Sequence, residues 1–519
     1  MLKLLKSAFI NKNSIRSASL ILIVTLALSN LLGVIRDHFL AQKIPTDQLD
    51  IYFAAFRLPD LIFNVLILGS IAAAFVPVYS KYLREKGQEE ATKLAQSAMT
   101  VGVSAVLFFL LLLFFLIPYL MPYLVPNFSP DKQMETAKMA RLLLVSPFIF
   151  TISYFLGGIL NSHKRFLAYS IAPLVYNFSI IIAVLLSADR IGVRGAVIGV
   201  VIGAFLHFLV QLPAALQVGF SFKFNFDYRN QGVKRIIKLM IPRAVGLGAN
   251  QILLVAFTAL ASAFPGGIAI YNFADNIQTV PSVIFGNSLA LAVFPTLSGL
   301  SLKQKIEKER FEKLVQRSLQ TIIFLLLPAT ALLILLRAQV VRIILGYGFF
   351  GWSDTKTATT ALGFFAISII AQGLIPLFAR AFYAMHNTKT PMIISVISIV
   401  TSIILGFIFT NFASTTVAGI AVLALAFSIG SWLNVILLTV FLARKIKLDF
   451  AAIIEHGLKV ILATLFMTVV VQSTKGFVAE VFDIDRVRFL VMQTTLAGIF
   501  GILSYWGITY LLKFEEVRS

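Results

Sequence analysis

The stretch Ser29–Pro77 reads SNLLGVIRDHFLAQKIPTDQLDIYFAAFRLPDLIFNVLILGSIAAAFVP. It holds two apolar runs of membrane length, and both carry ionised groups. Arg36 and Asp37 sit deep in the first; Arg57 and Asp60 sit in the second, beside the helix-breaking Pro59. An ionised side chain inside a bilayer costs roughly 2.5 to 3.5 kcal/mol on insertion scales, so such residues face a watery cavity, a partner or a substrate. The stretch therefore predicts the lining of a polar path.

Composition sets the class around it. The chain has 519 residues, 59% hydrophobic and 13% charged, with a mean hydropathy of +0.91. That leaves too little polar surface for a soluble protein of this size. Zero cysteines exclude disulfides, thiolate metal sites and cysteine nucleophiles. The excess of 44 Lys+Arg over 23 Asp+Glu, net +21, would suggest nucleic acid in a soluble domain. In a membrane protein the same excess belongs to the basic loops that orient helices, and no nucleic-acid partner is expected.

Counting runs of about 20 residues, enough to cross roughly 30 Å of hydrocarbon, predicts fourteen segments, the first near 15–42 and the last near 487–512. The N-terminal MLKLLKSAFINKN lacks a small-residue cleavage site and reads as a short interfacial helix rather than a leader. Loops after even-numbered segments, with both termini, hold about 27 Lys/Arg, against about 12 in the loops after odd-numbered ones. The asymmetry keeps its sign along the chain, which places both termini in the cytoplasm.

Internal duplication follows. AAAFVPVYS, from Ala72, ends segment 2, and ALAVFPTLS, from Ala290, ends segment 8, with Pro77 over Pro295. LNSHKRF, from Leu160, joins segments 4 and 5, and MHNTKTP, from Met385, joins segments 10 and 11. Both pairs are separated by roughly 220 residues and six segments. Six is even, so the halves insert with one orientation, as parallel repeats. The expected fold is an all-α polytopic membrane protein of fourteen transmembrane helices. Two parallel six-helix lobes, 1–222 and 223–447, surround a central cavity, and 448–519 adds two further helices.

At about 100° per residue, Ser29, Asn30, Gly33, Arg36 and Asp37 share one face of segment 1. Tyr271, Asn272, Asp275, Gln278, Thr279 and Ser282 share a face of segment 8, with Asn276 at its margin. Arg57, Asp60 and Asn64 form a narrower stripe on segment 2. The blander alternatives are internal ion pairs, Arg36 with Asp37 and Arg57 with Asp60. Adjacent residues on a helix face each other poorly, so Arg36 and Asp37 are expected to have other partners. Arg243 and Arg380 also read as snorkelling cations, His38 and His207 as packing histidines, and Gly195, Gly199 and Gly203 as a close helix contact.

These residues resemble a family. NLLGVIRDHFLA, then Asp50, AAFRLPDL and AAAFVPV, with YNFADNIQTVPSVIFGNSLALAVFPTLS and RAFYAMHNTKTP, look like the lipid II flippase family (MurJ/MviN) of the multidrug, oligosaccharidyl-lipid and polysaccharide exporter superfamily. The resemblance covers essentially the whole chain. It implies export of the undecaprenyl-diphosphate-linked peptidoglycan precursor to the outer leaflet of the cytoplasmic membrane by alternating access, with the last two helices forming a groove for the lipid tail. It implies no cofactor, a monomer, membrane lipids as surroundings and cell-wall synthesis proteins as candidate partners. Arg36 and Asp37 match the family's Arg-Asp of the first helix, Asp50 its acidic residue before helix 2, and Arg57 a basic position. Two family arginines are absent: their positions fall at Phe63 or Asn64 and at Asn276, while a usual glutamate falls at Leu68. Arg57 and Arg243 are expected to restore part of that charge.

The chemistry fits the same reading. Planar guanidinium matches diphosphate oxygens in pairs, and Asn30, Asn64, Asn272, Asn276 and Gln278 suit sugars and peptide amides. No GxxxxGK[ST] loop occurs, so ATP is not the expected drive. Moving each headgroup charge outward gains about 2.3 kcal/mol per 100 mV, enough for the potential alone to drive export. The competing readings are an exporter of another polyprenyl-linked glycan, a multidrug exporter and a non-transporting envelope scaffold. An enzyme is least favoured, because no metal-ligand cluster, Ser/His/Asp spacing or catalytic carboxylate pair stands out.

Overall fold

The computed structural model describes residues 15–68, 74–300 and 304–518, without the side chains of 15–23, 26, 27, 68, 241–247 and 518. The expected interfacial helix at 1–13 lies outside the described residues. No strand occurs among them, and the protein is all-helical. It divides into two compact units, Met1–Ala269 and Ile270–Ser519.

The first unit holds α1 (Ile15–Lys43), α2 (Thr46–Phe63), α3 (Val76–Glu85), α4 (Gly87–Leu124), α5 (Pro130–Leu143), α6 (Val145–Ser162), α7 (Phe166–Ile191), α8 (Val193–Gln217) and α9 (Gln231–Ala261). Helix α10 (Gly267–Pro281) begins at its end. The second unit continues with α11 (Ser288–Gly299), α12 (Lys305–Ile344), α13 (Trp352–Ala366), α14 (Ile369–Ala384), α15 (Lys389–Asn411), α16 (Thr416–Ala443), α17 (Phe450–Val481), α18 (Val487–Leu511) and the short α19 (Glu515–Arg518).

Among the described residues ten spans are long and apolar enough to cross a membrane, two of them made by α5 with α6 and by α10 with α11, or eleven if the pair α13 and α14, bent by 42°, is one more. The other three expected spans fall on α1, α2 and α9. Helix α2 is too charged to stand out on apolarity, with Asp47, Asp50, Arg57 and Asp60 in 18 residues. Side chains of α1 and α9 lie partly outside the described residues. The outer faces carry large apolar groups, such as Phe115 (67% exposed) and Leu186 (75% exposed). Water would not tolerate so many together, and lipid does. The chain is a multi-pass membrane protein.

Small residues let helices approach closely. A Cβ on Gly199 would come within 2.5 Å of Ala183 Cβ, and one on Gly203 within 2.9 Å of Tyr176 Cδ2. The expected glycine contact therefore lies between α7 and α8. In the second unit α17 and α18 pack on α12 through Phe324, Met467, Val471, Ala497 and Tyr505. Tyr505 Oη donates to the Phe324 carbonyl at 2.8 Å, which satisfies that buried hydroxyl.

The duplication is visible inside each unit. Both α2 and α10 run into a wide i→i+5 turn, Asn64–Leu68 and Ser282–Asn287. Ser282 follows Asn64 by 218 residues, as Pro295 follows Pro77. Both α6 and α14 end in the same C-terminal turn. Arg165 N donates to the Leu160 carbonyl (2.8 Å) and Asn387 N to the Phe382 carbonyl (2.9 Å), with Lys164 and His386 at positive φ. That equivalence runs over 222 residues, three fewer than the pairing of Leu160 with Met385 drawn from sequence.

Candidate substrate site

Arg36 lies on α1, two turns from its C-terminus. Its guanidinium folds along the helix onto Asp37, with Nε 3.1 Å and Nη2 2.8 Å from Oδ1. The expectation that these neighbours would pair poorly with each other is thus corrected, while the expectation of another partner holds for Arg36. The i,i+1 rule concerns Cβ directions, and arginine is long enough to turn back. Nη1 also donates to Asn177 Oδ1 of α7 at 3.2 Å. Three of the five N–H groups are engaged, which leaves one each on Nη1 and Nη2, the end-on edge that a paired-oxygen anion prefers. Asn30 is half-buried on the same helix.

Arg57 is buried on α2 and donates from Nε to Thr258 Oγ1 of α9 at 2.7 Å. Asp60, one turn on, lines a cavity of about 180 Å³ within the first unit, bounded by Phe63, Ser146, Phe150, Tyr154, Tyr176 and His207 among others. Asn64 Nδ2 turns back to the Asp60 carbonyl (2.9 Å). Tyr52 and Tyr176 are within electrostatic reach of both Arg36 and Asp60, so the two charged regions adjoin. His207 is a packing residue, with Nδ1 against Ser153 Oγ at 2.7 Å and its ring stacked on Tyr154.

Asp50 stands apart from this group. It is wholly buried, and its carboxylate accepts the amides of Gly266 (2.9 Å) and Ala269 (2.9 Å) at the start of α10. Lys132 Nζ approaches it at 3.6 Å and also pairs with Asp47. Negative charge at exposed helical amides is favourable, and this geometry makes Asp50 a clasp. Arg243 falls in α9, and its side chain lies outside the described residues.

In the second unit the polar arc of α10 splits. Tyr271, Gln278 and Ser282 are buried, with Tyr271 edge-on to Phe365. Asn272, Asp275 and Thr279 are half-buried and Asn276 is exposed. Gln278 Nε2 donates to Asp275 Oδ1 (2.8 Å), and Gln372 Nε2 donates to Gln278 Oε1 (2.7 Å) and Ser368 Oγ (2.8 Å). Arg380 is held by Asn287, Nη2 to Oδ1 at 3.0 Å, not merely snorkelling. Sequence reasoning missed Asn177, Thr258, Lys132 and Gln372. A single sequence carries no sign of contacts 141 or 201 residues apart, as those of Arg36 and Arg57 are.

Comparison with known proteins extends this picture. Residues 46–492 match the family model described as lipid II flippase MurJ. Similar proteins include the probable lipid II flippase MurJ of Rhizobium tropici, 28% identical over 426 residues, which are 80% of this chain and 79% of that one. That of Bdellovibrio bacteriovorus is 25% identical over 98% of this chain and 96% of its own. Among solved structures, a lipid II flippase MurJ in an inward closed conformation aligns with a TM-score of 0.78 at 23% identity, over 95% of this chain and 98% of that one. An inward-facing multidrug resistance transporter of the MATE family aligns at 0.67 and 14% identity, over 84% and 99%. The two structures share this fold. By the family match, which spans most of its length, the chain belongs to the lipid II flippase MurJ family.

Proposed function

We propose that this protein is a flippase carrying the undecaprenyl-diphosphate-linked peptidoglycan precursor from the cytoplasmic to the outer leaflet of a bacterial cytoplasmic membrane, by alternating access. The family match over 46–492 carries the reading. Arg36 supports it: held against Asp37 and Asn177, its guanidinium keeps the edge that pairs with diphosphate oxygens. Arg57 adds a second cation. Asn30, Asn64, Asn276 and Asp275 supply hydrogen-bonding groups for sugar and peptide, and Asp60 balances the charge of Arg57. The membrane potential drives export. The protein acts as a monomer with both termini cytoplasmic.

Another polyprenyl-linked glycan is the second reading, favoured by one observation. Phe63, one of the two positions (with Asn64) where the resemblance places a family arginine, is packed against Phe150 and Tyr154, and neither residue offers a charge to a headgroup.

Complementation of a flippase-depleted bacterium, with outer-leaflet precursor measured directly, tests the proposal. The chain is expected to restore growth and outer-leaflet precursor. Arg36→Ala is expected to lower export about tenfold or more, since charge-assisted pairs contribute roughly 1.5 to 3 kcal/mol, and an uncoupler should stop it. Equal rescue by Arg36→Ala would remove the assigned site. Rescue with a different glycan trapped inside would favour the second reading.

A further inference from the structure

The two repeats differ at one close contact. In the second unit the wide turn docks on α14 through Gly286 and Gly373, where a Cβ on Gly286 would lie 2.3 Å from Gly373 Cα. At the 218- and 222-residue steps the corresponding residues of the first unit are Leu68 and Thr151, two residues with a Cβ where that contact has none. The first unit keeps a cavity of about 250 Å³ there, between its wide turn, α4, α6 and the start of α9. Val65, Ala98, Val106, Phe155 and Ile236 are among its walls. The hydroxyl of Thr151 donates to the Pro147 carbonyl at 2.7 Å, so the lining asks for no water, and an apolar cavity stays dry.

The mouth of the cavity says what can enter. Ala105 on α4 and Ile237 on α9 line it and are exposed, and α4 continues past them as the exposed apolar surface of Leu107, Phe108 and Leu111. The opening therefore lies toward hydrocarbon. On α9, Val233, Ile236, Ile237 and Met240 turn an arc of about 100° into the cavity. Lys234 and Lys238 follow on the Ile237 side of that arc, with Arg235 beyond. All three cations are exposed, and among the described residues none has an ion pair. The acids of neighbouring α3 and α4 are taken: Glu85 pairs with Lys81, and Glu89 and Glu90 pair with Lys93.

We infer that this cavity binds one acyl chain of an anionic phospholipid whose phosphate rests on Lys234 and Lys238. Gln96 Nε2 donates to the Ser221 carbonyl and Asn225 Nδ2 to Ser97 Oγ, each at 2.8 Å. These bonds hold the connection between α8 and α9 beside the start of α4. The cations thus sit at the loop end of the cavity, and its apolar walls continue from them into the span. Along α4 the wall runs from Ala98 to Val106, about 12 Å at 1.5 Å per residue. That is the arrangement of a lipid standing in a leaflet, its headgroup at the basic rim and its chain pointing inward. The seated chain packs against Val65, Leu66 and Ile67, so lipid braces the wide turn that protein backbone braces in the second unit.

Native mass spectrometry of the delipidated full chain in detergent, titrated with phosphatidylglycerol, tests this. No lipid precursor is present, so failure here leaves the flippase reading untouched. One tight, saturable phosphatidylglycerol per chain is expected, with phosphatidylcholine at least tenfold weaker and glycerol phosphate, which has no chains, unbound. Lys234→Gln combined with Lys238→Gln should weaken binding about tenfold or more. Ala105→Phe, which plugs the mouth from an exposed position and keeps both cations, should do the same. Phosphatidylglycerol should also raise the melting temperature of the unaltered chain and leave that of Ala105→Phe unchanged. Should Ala105→Phe fail to fold, the lysine pair decides. Absence of a tight saturable site, equal binding of phosphatidylcholine or glycerol phosphate, or binding unchanged in a variant that folds overturns the inference.

Discussion

Asp50 shows how a charged residue in a span can be structural. A carboxylate ringed by the amides of Gly266 and Ala269 and the Lys132 ammonium has traded water for three donors. Asp50→Ala would strand those donors in the interior. We expect a loss of roughly 3 to 5 kcal/mol, the usual cost of breaking a buried charged contact, read as a lowered Tm of the detergent-solubilised protein. Lys132→Met should cost less, because its side chain is 16% exposed and the two amides keep their acceptor. Equal losses in the two variants would assign the stability to the ion pair. From sequence alone Asp50 was indistinguishable from Arg36 and Asp60, since all are charges among apolar residues. What separates them is where chain segments more than 200 residues away fold back, which no local pattern encodes.

Elements were far more legible. Apolar length predicted the long apolar helices, because a bilayer permits little else, while the breaks between α5 and α6 and between α13 and α14 were not predicted. The wide turns at Asn64–Leu68 and Ser282–Asn287 were not predicted, as they rest on backbone packing and not on a residue signature. Their recurrence at one step in both repeats makes them built features. Gly286 shows what one of them needs: a Cβ there would lie 2.3 Å from Gly373 Cα, a backbone atom unable to rotate aside. Gly286→Ala should push the turn off α14 and destabilise the second unit by about 1 to 3 kcal/mol. Gly299→Ala, with nothing within 4 Å, is the control. A melting temperature unchanged in Gly286→Ala would mean that the turn yields freely.

For the molecule as a whole, the sequence yields topology through charge rather than packing. Basic loops alternate along the chain, and that alternation requires α9 to cross the membrane with the ten or eleven plainly apolar spans, and α1 and α2 to cross together or not at all. The chain has no cysteine, so each introduced cysteine reports alone. Phe349 and Phe412 are exposed, at 58% and 85%, in the connections after α12 and α15, and Phe224 is 80% exposed between α8 and α9. With fourteen spans and cytoplasmic termini, a membrane-impermeant maleimide on intact cells should label Phe349→Cys and Phe412→Cys. Phe224→Cys should react only after the membrane is opened. If α1 and α2 formed a hairpin that never crosses, the parity would survive and the pattern with it. A cysteine at Gln48, exposed in the first turn of α2, separates the cases. Labelling of Gln48→Cys from outside requires both helices to span, and protection there would reduce the count to twelve.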